Sequence, residues 1–167
     1  IRGVVLFGLA EAERSAVYAD YLKNGDMDEI GRMMQVSHDG DRVCSFSEDW
    51  TPSPFRARVD NAYILERLAD LESGMPDRVI RSQLINQPGS YACSLPEIDR
   101  MVDIALRTPG VSGAQLAGAG LGGCMMVLCE SRAVAQLKNN LTQLYYEQAG
   151  IEPAILVCRP VAGGGML

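Results

Sequence analysis

Residues 115–129 read "QLAGAGLGGCMMVLC", in which an apolar stretch, a glycine cluster and a six-residue apolar run follow one another directly. Gly118, Gly120 and Gly123 satisfy G-x-G-x-x-G, the spacing of dinucleotide-binding turns. That fingerprint works when a helix opens on the glycines, so that its N-terminus faces the pyrophosphate. Here the glycines run into Cys124–Cys129, which has the length and apolarity of a buried strand. The chain contains no G-K-[ST], so the P-loop reading fails too. What remains is a hairpin, with Ala114–Ala117 leading in and Cys124–Cys129 leading out. Four glycines in the six residues 118–123 are more than a tight turn needs. Glycine costs backbone entropy, so this density points to a backbone that something approaches closely. The local pattern leaves a plain structural hairpin open beside that reading.

On the C-terminal side, Ser131 begins a helix with Val134, Leu137, Leu141, Leu144 and Tyr145 on one face and Gly150 at its end. Ile155–Val161 reads as a last strand. On the N-terminal side, Ser94, Pro96 and Glu97 form a helix start, with Ser94 as the N-cap. Ile98, Met101, Val102, Ala105 and Leu106 follow as its buried stripe, and Pro109-Gly110 closes it. Earlier, Leu9–Leu22 is a helix stopping at Asn24-Gly25, and Asp26 with Glu29 caps a second one that buries Ile30, Met33 and Met34. Residues 39–55 read as a loop, Val59–Leu71 as a helix with Ile64, Leu65 and Leu68 inward, and Val79–Tyr91 is ambiguous. Two strands joined by a short loop pair antiparallel. The expected fold is α+β, a small antiparallel sheet covered on one face by helices.

A length of 167 residues fits one domain able to bury a core. A net charge of −6 and a pI near 4.8 argue against a nucleic-acid surface, which needs clustered Lys and Arg. No apolar run approaches the ~18 residues of a membrane span, and no signal peptide is visible. Five cysteines without a C-x-x-C pair read as reduced thiols, mostly core filler, which fits a cytoplasmic protein. The start at Ile1 is read as that of a fragment or a processed product.

Several stretches together resemble the GHMP kinases, the family of galactokinase, homoserine kinase, mevalonate kinase and phosphomevalonate kinase. "GVSGAQLAGAGLGGCMMVLC" is similar to their third conserved motif. "EAERSAVYADYLKNGDMDEIGRMMQVSH" resembles the helix pair of the galactokinase branch through Glu11, Arg14, Gly25, Asp26, Met34, Ser37 and His38. "YACSLPEIDRMV" resembles its Tyr-x-x-Ser-x-x-Glu-Leu-Asp helix start through Tyr91, Ser94, Glu97 and Asp99, and "AILVCRPVAGGG" its final strand.

The resemblance implies a GHMP-kinase C-terminal-like domain over residues 1–167, with 39–90 as a loop or helix insertion. The N-terminal catalytic lobe, with the family's catalytic Asp and Arg, would lie outside this chain. Gly118, Ala119, Gly120, Leu121, Gly122 and Gly123 would then line a substrate and nucleotide cleft. The implied function is ATP-dependent transfer of the γ-phosphoryl group to a sugar hydroxyl, in carbohydrate metabolism, with ATP and Mg2+ used by the intact enzyme. The chain alone is expected to be inactive and to bind neither. The implied partners are the N-terminal lobe, sugar and ATP, with no nucleic acid or membrane, and homodimerisation through the exposed interlobe face is open. Ala117 and Leu121 depart from the Thr and the aromatic residue that the family carries there. A second class, a non-catalytic sugar-sensing or regulatory domain, therefore stays in view.

The remaining candidates read as structural. His38 beside Asp39 and Asp41 lacks further metal ligands at useful spacing and is assigned a polar contact at a helix C-terminus. Glu11 and Arg14 form an intrahelical pair. Met33, Met34, Met125 and Met126 are assigned to the core, and Asp39, Asp41, Glu48 and Asp49 to solvent.

Overall fold

The computed structural model describes residues 1–118 and 123–159. α1 (Arg2–Asn24) begins well before Leu9 and ends at Gly25, whose φ of 72° suits a glycine C-cap. α2 (Met27–Asp41) follows at once, capped by the Asp26 carboxylate accepting the Glu29 N–H at 3.3 Å. Only half of a reciprocal box forms, because the Glu29 carboxylate pairs with Arg32 instead. Ile30, Met33 and Met34 are buried as the spacing predicts.

The expected loop over 39–55 is corrected in two places. Residues 39–41 complete α2, and β1 (Cys44–Phe46) pairs antiparallel with β2 (Pro52–Pro54). Ser47, Asp49 and Thr51 hydrogen-bond one another around this turn, so residues that mark a loop by composition here build a hairpin. Trp50, at a φ of 64°, lies with its ring 4.4 Å from the Arg107 guanidinium, which ties the hairpin tip to the next helix layer.

α3 (Asn61–Glu72) and α4 (Pro76–Ser82) follow, then a turn of 3-10 helix at Leu84–Asn86. Leu65 and Leu68 do not point inward: they are 65% and 51% exposed, and Ile64 is half-buried. The inner face is claimed by Asp70, which is fully buried. Its carboxylate is held by Arg78 at 2.7 Å, Arg67 and Arg81 at 3.1 Å, and the Ser82 hydroxyl at 3.3 Å.

α5 (Pro96–Leu106) carries the stripe read from the sequence, with Ile98, Val102 and Ala105 buried and Met101 packed beside them. Ser94 is not its N-cap. Leu95, held extended before Pro96, takes that place, and buried Ser94 donates its own N–H to the Asp41 carbonyl at 2.9 Å.

β3 (Val111–Ala117) and β4 (Cys124–Cys129) pair antiparallel, with Ala117 opposite Cys124 as the last pair. The helix after Ser131 starts as a 3-10 turn, continues as α6 (Val134–Leu141), and widens to a π-turn over Thr142–Tyr146. The wider turn places Tyr146, five residues after Leu141, into the core between α5, β3 and α6. The strand expected at 155–161 does not form over 155–159: Leu156 is 86% exposed, and no strand pairs with this segment among the described residues. Residues 160 and 161 lie outside the described residues. Among the described residues no helix is long and apolar enough to cross a membrane.

Candidate functional site

The β3–β4 hairpin brings Gly118 and Gly123, both exposed, to one end of the chain's core. Of the expected cleft residues, Ala119, Gly120, Leu121 and Gly122 lie outside the described residues. Gly118 has a φ of 84°, which costs a residue with a Cβ dearly. No described atom comes within 4 Å of where a Cβ on Gly118 would sit. Its glycine is therefore needed for conformation, and among the described residues nothing fills the space beside it.

Two packing layers fix the hairpin. α5 and α6 bury one face through Ala114 and Leu116. α2 runs along the outer edge of β3, away from β4. There Gly31 meets Ser112 and Gly113, the Gln35 amide donates to the Ser112 carbonyl at 3.2 Å, and His38 Nδ1 accepts the Leu116 N–H at 3.2 Å. An exposed strand edge invites pairing with another chain, and a helix lying along it removes that invitation.

His38 lies in the last turn of α2 and makes polar contacts there as expected, and at 1% exposure it is a buried hub. Its Nε2 lies 3.2 Å from Asp99 Oδ1. With Nδ1 accepting from Leu116, the ring proton sits on Nε2, close to that carboxylate but not aligned for a hydrogen bond with it. Asp99 Oδ2 in turn accepts the N–H groups of Val43 and Cys44 at 3.0 and 2.8 Å. Burial alone would raise the Asp99 pKa, but the nearby His38 and Ser94 side chains and the hydrogen bonds from the two amides outweigh it and hold the carboxyl below its ordinary value. Both residues fall in stretches that carried the family resemblance, yet nothing in their spacing shows that they meet.

Asp41, assigned to solvent by sequence, is buried and accepts the Cys93 thiol at 3.1 Å; burial raises its pKa. Burial, reinforced by that carboxylate, pushes the Cys93 thiol up to about 12, which keeps it protonated and unreactive. Cys124 and Cys158 are exposed rather than core filler. Arg14 pairs with Glu11 as expected, and it also donates to the carbonyls of Ile85 and Gln87, fixing the 3-10 turn against α1.

Beside the hairpin lies a groove of about 500 Å3 lined by Glu11, Tyr18, Leu22, Met33, Gln115 and Met126. Met126 is thus a groove residue, 52% exposed, and not core. Among the described residues no three His, Cys, Asp or Glu side chains converge as a metal-ligand group.

Comparison with known proteins matches residues 64–147 to the sequence model of the family described as GHMP kinases C terminal. A galactokinase from Roseiflexus sp. (strain RS-1) is 36% identical over 124 residues, covering 68% of this chain and 31% of the galactokinase. The chain thus spans about a third of the length of that relative.

Proposed function

The chain belongs to the GHMP kinase family, and on that premise we propose that it is the C-terminal domain, residues 1–167, of an ATP-dependent sugar kinase. In the intact protein an N-terminal lobe would face this domain across a cleft holding sugar, ATP and Mg2+. Mg2+ would be held there by phosphate oxygens and groups of that lobe; in this chain Asp41, Asp70 and Asp99 are engaged in structural bonds. The reaction moves the γ-phosphoryl group to a sugar hydroxyl, and such transfers depend on positioning and electrostatics more than on covalent chemistry.

This chain's share would be to carry residues 118–123 after the clamped strand β3. The cleft residues would be Gly118, Ala119, Gly120, Leu121, Gly122 and Gly123, offering backbone N–H groups to phosphoryl oxygens. Ala117 brings no hydroxyl, so no side-chain donor adds to them from that position. The observation that supports the reading is Gly118: its φ of 84°, with no described atom within 4 Å of a Cβ there, at the end of an otherwise clamped strand.

The test is an assay of the intact protein with ATP, Mg2+ and a panel of hexoses, pentoses and uronic acids. Sugar-dependent release of ADP supports the kinase. Saturable quenching of Trp50 fluorescence by a sugar, without turnover of any sugar in the panel, would replace it with the sensing domain.

A further inference from the structure

The hydrogen bond between α2 and the last turn of β3 has a consequence for the cleft. β3 is held at its start by the backbone contact of Gly113 with Gly31 and by Gln35 on the Ser112 carbonyl. At its end the hydrogen bond to an α2 side chain, among the described residues, is the one from the N–H of Leu116 to His38, two residues before Gly118. That N–H points away from β4 and is buried, so without a partner it costs a full desolvation penalty.

We propose that His38 is a positioning residue, which sets the place and orientation of the β3 end at Leu116–Gly118. Its lone pair is aimed by a chain of contacts. The amides of Val43 and Cys44 orient Asp99, the Asp99 carboxylate 3.2 Å from Nε2 favours the proton on that nitrogen by charge rather than by an aligned hydrogen bond, and Nδ1 is left to accept from Leu116. Four segments meet in that chain: the last turn of α2, the start of β1, α5 and β3. Because Gly31 and Gln35 clamp the other end independently, losing the Leu116 bond loosens the strand end and leaves the rest of the sheet in place. The catalytic consequence rests on the kinase reading above; the structural consequence does not.

Two substitutions in the intact protein separate the two bonds. In His38→Asn the side-chain carbonyl falls near the position of Nδ1, so the bond from Leu116 is kept and the contact with Asp99 is lost. In His38→Gln the terminal amide falls near Nε2, so the contact with Asp99 is kept and the acceptor for Leu116 is lost. The readouts are hydrogen exchange of the peptide covering 112–118, and kcat and KM for sugar and ATP.

His38→Gln is expected to speed exchange at Leu116 about tenfold and to lower kcat about tenfold with sugar KM within about twofold, the factor one hydrogen bond supplies. His38→Asn is expected to stay within about threefold of the wild type in both readouts. Retained protection of Leu116 in His38→Gln overturns the proposal. Equal loss in both variants, loss of folding in both included, makes His38 a core residue only and overturns it as well. If the intact wild-type protein turns over no sugar, the kinase reading fails, and the exchange measurement still decides the role of His38.

Discussion

Gly31 of α2 and Gly113 of β3 meet backbone to backbone. A Cβ on Gly113 would lie 2.6 Å from the Gly31 Cα, and one on Gly31 would lie 2.1 Å from the Ser112 carbonyl oxygen. A helix interior ordinarily gains about 1 kcal/mol from replacing Gly by Ala. Here the obstacle is backbone, which cannot swing aside, and overpacking of this kind costs about 1–3 kcal/mol. Gly31→Ala should therefore destabilise the chain, read as a lower urea midpoint at unchanged slope. A midpoint equal to or above the wild type would show that the α2–β3 contact yields without cost.

Asp99 makes stability depend on acid. Its pKa is held below the ordinary value, so its contribution is complete above the unfolded carboxyl's pKa of about 3.9 and is lost as pH falls towards the folded value. Asp39 and Asp41 are shifted upward by burial and act in the opposite sense, so the comparison is between variant and wild type. Asp99→Asn should lower stability at pH 7 and flatten the acid limb of the urea midpoint below about pH 4. An acid limb as steep as that of the wild type would remove Asp99 from the account.

Asp70 holds α3 and α4 together rather than the core. Replacing it by Ala leaves Arg67, Arg78 and Arg81 without their shared carboxylate, while the cluster around Val102 and Ala114 is untouched. Limited trypsin digestion of Asp70→Ala should cut first after those arginines and leave the segment from Pro96 to Ala149 protected. Cleavage spread evenly over the chain would mean that α3 and α4 fold as one unit with the rest.

The five cysteines should separate by reactivity. Cys124, exposed beside the glycine segment, and exposed Cys158 should alkylate rapidly at pH 8, whereas Cys93, with its thiol pushed up to about 12, should react only after unfolding. Alkylation of native Cys93 at the rate of Cys124 would contradict its bond to Asp41.

Periodic apolar residues were readable because their burial follows from helix geometry alone, as in Ile98, Val102 and Ala105 or Ile30 and Met33. Leu65 and Leu68 misled for the same reason: the spacing identifies a stripe, but the buried ion cluster on Asp70 decides which face turns inward. Tyr146 was out of reach, since a π-turn shifts the face by one residue without any sequence mark. The glycine segment was legible as a hairpin from Cys124–Cys129. His38, Asp99 and Leu116 were legible only as members of separate motifs, because a side chain bonding a backbone amide 78 residues away leaves no periodic trace.

The most direct measurement is ADP release by residues 1–167 alone, beside the same chain joined to the proposed N-terminal lobe, over the panel of sugars. No release above a protein-free control is expected for residues 1–167, and sugar-dependent release is expected when the lobe is present. Turnover by residues 1–167 alone would contradict this expectation, because the chemistry would then reside in the helices and hairpin described here.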